Sequence, residues 1–253
     1  MAKMKRLFDE FKPEVVVHFA AQSHVDTSFE NSFQYINDNI IGTYTILECV
    51  KESGCRLVHI STDEVYGEVA LDETSHPDTS VLNPTNPYSA TKAGAELLVK
   101  AYGHSFKIPY VITRGNNVFG PKQYPEKVIP AFVTRILNDE PCRIHGTGQS
   151  RRNFIYVDDV SRAVMIVLLK GVSGTVYNIG TRNEYSVNEI FKHIQEKLGK
   201  GTKIHVNDRP HNDQRYAIDS SALCALGWKE EVDFESALDK TIEWYKANMT
   251  WYS

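Results

Sequence analysis

A parallel α/β sheet with helices on both faces is the fold class this sequence predicts, and three observations predict it. The first is a set of short β-rich runs, VVVHF at Val15–Phe19, RLVHIS at Arg56–Ser61 and YVITR at Tyr110–Arg114; their near-continuous apolar character suits strands covered on both sides. The second is the helical pattern between them, over Met4–Phe11, near Ile36–Glu52 and from Pro87 to about Phe106. The third is a change of texture after Gly120. There, short strands such as RIHG and TVYNIG alternate with helices at Val128–Asn138, Val157–Leu169, Val187–Leu198 and Phe234–Ala247. Residues 1–120 are therefore read as one domain, and 121–253 as mainly a smaller lobe set against it, with some segments returning to the first.

Composition narrows the function classes. The 253 residues are 42% hydrophobic, enough for a packed core, and the formal charge of −4 leaves no basic footprint for nucleic acid. Cys49, Cys55, Cys142 and Cys224 form no CxxC pair and no zinc-type cluster with histidine, so they read as reduced and structural, with no metal site. No apolar run approaches the roughly 20 residues that span a bilayer, and MAKMKRLFDEF lacks a signal-peptide core, so a cytoplasmic protein without membrane contact is expected.

A doubly wound, Rossmann-like fold normally opens with a strand, a glycine-rich turn and a helix whose amino end holds a dinucleotide pyrophosphate. Neither GNNVFG at Gly115–Gly120 nor GTG at Gly146–Gly148 matches GxGxxG, and neither opens a βαβ unit. The apolar Val15–Phe19 run also reads as an interior strand with neighbours on both sides. The expectation is an amino-terminally truncated Rossmann-like sheet whose first segment lies upstream of this sequence.

Two stretches carry chemistry. In NPYSATKAGAELL, Asn86 is placed to cap a helix, Pro87 fits its first turn, and Tyr88 and Lys92 fall one turn apart on the same face. An ammonium beside a phenol favours the phenolate, which can take a proton from a sugar hydroxyl; the same spacing also occurs in exposed helix pairs of no chemical consequence. In HISTDEVYG, a strand ends at Ser61 and delivers Thr62, Asp63 and Glu64 just past its carboxyl end, the ligand crevice of open α/β sheets, though two carboxylates there can equally cap a turn. The helix bearing Tyr88 follows that strand, so the two stretches can return to one crevice.

With HFAAQSHVD, NDNIIGT, STDEVYG, NPYSATKAGAE, TRGNNVFGP, PEKVIP, RRNFIYVDD, YNIG, NDRPHNDQRY and LGW in order along nearly the whole chain, the sequence resembles the extended short-chain dehydrogenase/reductases. Within them it is similar to the nucleotide-sugar 4,6-dehydratases that act on UDP-glucose or dTDP-glucose. By that likeness, and judging from the elements absent before the VVVHF strand, about the first 70 to 80 residues of a typical member would be missing.

The resemblance implies NAD as a bound, regenerated cofactor and a nucleotide sugar as substrate. It assigns Tyr88 the proton of the sugar 4-hydroxyl, with Lys92 lowering its pKa and Thr62 bonding the sugar oxygen. Glu64 would take the carbon 5 proton, and Asp63, kept protonated, would protonate the departing 6-hydroxyl. It further implies that Ala20, Ala21, Ser23 and Asn39, with Tyr88 and Lys92, surround the cofactor ribose and nicotinamide. Asn117, Lys127, Arg152, Asn178 and Arg209 would contact the substrate, the cations meeting its diphosphate. A homodimer through two helices per subunit, one of them the Tyr88 helix, is implied as well.

Two other functions compete. A 4-epimerase of the same superfamily would share Tyr88 and Lys92 but has no use for an acid and a base where Asp63 and Glu64 stand. A catalytically silent binding protein would fit the absent glycine-rich turn and leave the catalytic set unexplained. For the nucleotide, Asn212 stands where dTDP-glucose enzymes more often have histidine, and TNPYSATKAGAE with RGNNV is similar to the UDP-glucose dehydratase portion of rhamnose-forming proteins, so UDP-glucose is favoured.

Overall fold

A computed structural model of the chain describes residues 1–70, 72–77 and 79–252. Its first half runs α1 (Ala2–Phe11), β1 (Val15–His18), α2 (Val25–Glu30), α3 (Ser32–Tyr35), a π-helical turn at Ile36–Ile41, α4 (Gly42–Ser53) and β2 (Arg56–Thr62). A 3-10 turn at Asp63–Tyr66, α5 (Pro87–Phe106) and β3 (Tyr110–Gly115) complete it. The second half contains β4 (Asn117–Phe119), α6 (Val128–Leu137), β5 (Cys142–His145), β6 (Arg151–Tyr156), α7 (Val157–Lys170), β7 (Val176–Ile179) and β8 (Glu184–Ser186). It ends with α8 (Val187–Leu198), β9 (Lys203–Val206), α9 (Ser221–Ala225) and α10 (Phe234–Ala247).

The main sheet has the order β1-β2-β3-β7, every pair parallel. Leu57, Ile112 and Val176 on one face pack with Ile46, Leu47 and Val50 of α4 and Val99 of α5. Val58, Val111 and Tyr177 on the other face pack with Ala163, Val164 and Val167 of α7 and with Leu223 and Trp228. Burial on both faces accounts for the apolar runs read in the sequence. β7 and α7 thus return to the first domain, while a second core, built on Phe119, Phe132, Ile144, Phe154, Ile190, Phe234 and Leu238, belongs to the other lobe.

The Val15–Phe19 run, read as an interior-type strand of a sheet whose first segment lies upstream, forms β1, the outer strand of the four, which ends at His18 with Val15, Val16 and Val17 half-buried. One expectation changes. The predicted helix near Ile36–Glu52 begins as a π-helical turn, which widens the helix by one residue and turns Asn39 inward, 1% exposed. Its amide donates to Thr91 Oγ1 on α5 at 2.9 Å and to the Gln22 carbonyl at 3.1 Å. Periodicity could not show this, because the extra residue is held by those tertiary contacts. Among the described residues, no helix is long and apolar enough to cross a membrane.

The element that matters most is α5. Asn86 accepts from Ser89 N and Ser89 Oγ reaches back to the Asn86 backbone, a reciprocal cap that with Pro87 fixes where the helix starts. Tyr88, Lys92 and Glu96 then recur every fourth residue, and all three are buried. Glu96 is ion-paired with Arg114 at the end of β3: Arg114 Nε donates to Glu96 Oε2 at 3.0 Å and a second guanidinium nitrogen donates to Oε1. The guanidinium carbon lies 4.5 Å from the centre of the Tyr66 ring, and the Tyr66 hydroxyl donates to Asn178 Oδ1 at 2.9 Å.

Both charges are essentially inaccessible to solvent, so losing one strands the other. We predict that Glu96→Leu lowers the unfolding free energy by about 3–5 kcal/mol, and that Glu96→Leu with Arg114→Met recovers most of it. Urea denaturation would check this. A single replacement within about 1 kcal/mol of wild type would show that the pair does not hold α5 on the sheet.

Candidate active site

The carboxyl ends of β1, β2, β3 and β7 open towards the second lobe, and between them lies a cleft of about 820 Å³. Ser23, Thr62, Glu64, Tyr88, Asn117, Lys127, Arg152 and Arg209 all line it. Parallel strands place their carboxyl ends at one edge, which is how residues from segments so far apart in sequence come together.

Asp63 sits behind the Thr62 side chain, 2% exposed, with Oδ1 accepting from Thr62 Oγ1 at 3.2 Å and Oδ2 accepting from Asn116 Nδ2 at 2.7 Å. Burial, reinforced by the neighbouring Glu64 carboxylate, pushes its pKa up to about 7, so the proton needed by an acid is held there near neutrality. Glu64 is raised as well, by burial first, with the hydrogen bond from Asn86 Nδ2 to its Oε2 at 3.1 Å acting in the opposite sense. A carboxylate moved up in this way is a stronger base than one in water.

Tyr88 departs from the expected chemistry. The sequence places Lys92 as the group that lowers its pKa, but burial and then Glu64 raise the Tyr88 pKa, while a hydrogen bond with Thr62 opposes the rise. The physical reason is the direction taken by Lys92, whose Nζ donates to the Ile60 carbonyl of β2 at 2.6 Å. Burial brings Lys92 itself down to about 8, and burial first, then the Lys92 charge, lowers His18 to about 4. His18 and His59 stand side by side on β1 and β2, ring centres 5.5 Å apart, a buried polar layer that the strand pattern did not disclose.

The residues read as cofactor contacts fall in two groups. Ala20, Ala21 and Ser23 are exposed on the segment that leaves β1, whereas Asn39 is buried and anchors that segment by accepting from Gln22 N at 2.7 Å. Of the residues read as substrate contacts, Arg152 lies 4.7 Å from the Tyr216 ring centre and donates to Asn212 Oδ1 at 3.3 Å. Lys127 donates to the Ser23 carbonyl, and Arg209 is ion-paired with Asp26, so both cations bridge to the segment after β1. Asn178 needs correction: it is 0% exposed on β7, outside the cleft lining, and its amide serves Tyr66 and the Ser75 carbonyl.

Other residues were missed. Asn116, Asn86 and Tyr216 line the cleft and contact the candidate residues, yet only Asn86 carried a signal, as a helix cap. Glu68, His211 and Asp213 also bring three ligand-type atoms within 4.8 Å of one another, a grouping that spacing did not suggest. Asp213 in that group already accepts from Thr85 and Tyr216, and Glu68 accepts from Gln214 N.

The model of the GDP-mannose 4,6 dehydratase family matches residues 1–241. The chain belongs to this family. It is 47% identical over 245 residues to the Arabidopsis thaliana trifunctional UDP-glucose 4,6-dehydratase/UDP-4-keto-6-deoxy-D-glucose 3,5-epimerase/UDP-4-keto-L-rhamnose-reductase RHM2, over 94% of this chain and 37% of that protein. The chain therefore spans little more than a third of that relative's length. It is 44% identical over 254 residues to the Mus musculus dTDP-D-glucose 4,6-dehydratase, over 97% of this chain and 71% of the relative. Its fold superposes on DesIV, the dTDP-glucose 4,6-dehydratase from Streptomyces venezuelae with NAD and TYD bound, with a TM-score of 0.96 at 35% identity, covering 100% of this chain and 78% of the other.

In this GDP-mannose 4,6 dehydratase family member the raised Asp63 pKa has a stability consequence of definite sign. Its folded value, about 7, exceeds the ordinary 3.8, so the stability contributed by its buried proton is complete below 3.8 and is lost as pH rises through about 7. Asp63→Asn removes the loss. Thermal or urea unfolding should show the variant gaining on wild type by roughly 2–3 kcal/mol more at pH 8 than at pH 5. A difference that does not change with pH would mean that Asp63 titrates normally.

Proposed function

We propose that the protein is an NAD-dependent nucleoside-diphosphate-glucose 4,6-dehydratase, a lyase that prefers UDP-glucose to dTDP-glucose. The observation that carries this reading is the Thr62-Asp63-Glu64 turn beside Tyr88, in which one buried carboxyl is poised near neutrality and a second stands at the cleft wall. Elimination of water needs such a pair, an acid and a base acting on neighbouring carbons, whereas epimerisation at carbon 4 needs neither.

The residues on the nicotinamide side fit the cofactor. A lysine ammonium carries three donors, and one hydrogen bond is recorded for Lys92, to Ile60, which leaves donors for a ribose diol. Ala20 and Ala21, small and exposed past the end of β1, leave room for a flat ring, and Ser23 and Asn39 flank them. When bound, NAD would supply the hydride acceptor for carbon 4, the hydride donor for carbon 6, and a positive ring that favours the Tyr88 phenolate.

Tyr88 takes the proton of the 4-hydroxyl while Thr62 holds the oxygen it leaves. The ketone formed at carbon 4 acidifies the hydrogen on carbon 5, which Glu64 removes. Asp63 gives its proton to the 6-hydroxyl, and the carbon 6–oxygen bond breaks with water leaving. Lys127, Arg152 and Arg209 meet the diphosphate, with the forked guanidinium groups suited to its oxygens. Exposed Ile41, Tyr44 and Leu97 on the π-helical turn, α4 and α5 give apolar surface to a homodimer.

Two outcomes test this reading. Glu64→Gln should cut 4-keto-sugar formation on the order of 10² to 10⁴-fold, with loss of carbon 5 hydrogen exchange into D2O, followed by proton NMR of the recovered sugar. Near-normal turnover and exchange would remove Glu64 from the mechanism. For the nucleotide, support comes from the likeness to RHM2 and from Asn212 against Arg152. UDP-glucose should show the higher kcat/KM by roughly 10- to 200-fold, the range that one methyl or hydroxyl commands. Side-by-side kinetics favouring dTDP-glucose would reverse that choice.

A further inference from the structure

Asn116 follows β3 by one residue, 4% exposed, and its backbone N–H is fixed to the Ile179 carbonyl of β7 at 3.1 Å. Its side-chain Oδ1 accepts from the backbone N–H of Thr181 at 3.0 Å. A backbone N–H can only donate, so that end of the amide is the oxygen and the other end is the NH2 group. The NH2 group donates to Asp63 Oδ2 at 2.7 Å. Gly180 is part of the arrangement: a Cβ there would lie 3.0 Å from the Ile218 side chain and 3.4 Å from Asn116 Oδ1, so a larger residue would press on the loop that orients the amide.

From this geometry we infer that Asn116 is a positioning residue that fixes which oxygen of Asp63 carries the proton and holds the carboxylate once that proton is gone. The inference rests on the reading of Asp63 as the acid of the elimination. An O–H on Oδ2 would face the hydrogens of the Asn116 amide, so the proton of neutral Asp63 resides on Oδ1. Oδ1 is the oxygen 3.2 Å from Thr62 Oγ1, the hydroxyl on the cleft wall.

The transfer then balances. The Oδ1–H bond breaks and the proton passes to the 6-hydroxyl; the carbon 6–oxygen bond breaks with its electron pair on oxygen, water leaves, and Asp63 is left as a carboxylate. Its new charge is met by an amide already aimed at Oδ2, with no rearrangement needed at that moment. The other charged or titratable groups around Asp63 are Glu64 on its own turn, Tyr88 on α5 and Arg152 on β6. Of the four neighbours, Asn116 alone makes a side-chain hydrogen bond to Oδ2 while being tied, through Thr181, to the end of β7.

The test uses Asn116→Ala and the isosteric Asn116→Asp, which exchanges the donating amide for a second carboxylate. Asp63 is followed by carboxyl carbon-13 NMR in the purified protein, its resonance assigned with Asp63→Asn. Losing a donor to the charged form raises the pKa, so both variants should move the Asp63 midpoint up by roughly one to two pH units. The alkaline limb of 4-keto-sugar formation should move in the same direction, with KM little changed. An unmoved midpoint in folded variants overturns the inference, whether or not turnover falls, because a merely structural role would lower activity without moving the titration. A moved midpoint in a protein that makes no 4-keto sugar supports the Asn116–Asp63 link and counts against the dehydratase reading alone.

Discussion

The buried pair between Arg114 and Glu96 is the constraint on which the rest of the site depends. Glu96 belongs to α5, one turn beyond Lys92 and two beyond Tyr88; Arg114 is the last residue but one of β3, two residues before Asn116. Arg114 also covers the Tyr66 ring, on the turn that bears Asp63 and Glu64. One guanidinium therefore ties together the helix, the strand and the turn that supply the candidate chemistry. Hydrogen-bonded charges with a fork geometry tolerate little sliding, so the pair sets position along the helix as well as proximity.

Burial then does to the site what the ion pair does to the scaffold. It raises Asp63, Glu64 and Tyr88 and lowers Lys92, His18 and His59, so the cluster disfavours every charge placed in it. A site of this kind favours proton transfers that relieve charge. Asp63 and Glu64, adjacent in sequence, also end in different surroundings. Asp63 is covered and held by an amide, whereas Glu64 reaches the cleft and is braced by the Asn86 cap of α5.

Much of this was legible in the sequence where the signal is local. Strand ends can be read from apolar runs, and Thr62, Asp63 and Glu64 were placed correctly at one; the four-residue spacing of Tyr88 and Lys92 and the Asn86-Pro87 cap are likewise local features. What was not legible joins residues far apart. Asn116 meets Asp63 across 53 positions, Arg114 meets Glu96 across 18, and the π-helical turn exists because Asn39 reaches Thr91 across 52. Asn178 shows the opposite error: a motif names a residue type, but the side of β7 from which its amide projects is decided by Tyr66 and Ser75. Lys92 was found on the correct helix face, but its ammonium is directed to a strand carbonyl, and burial and then Glu64 set the direction of the Tyr88 shift.

The central claim is that one cleft oxidises a sugar at carbon 4, removes water across carbons 5 and 6, and reduces carbon 6. Following deuterium through a single reaction tests all three at once. UDP-glucose labelled at carbon 4 would be incubated with the purified protein and NAD, and the product examined by mass spectrometry and NMR. The account predicts a 4-keto-6-deoxy sugar with the label moved to carbon 6. A galactose-configured product retaining the label at carbon 4 would contradict it, because the label would have returned to its original carbon with no water lost.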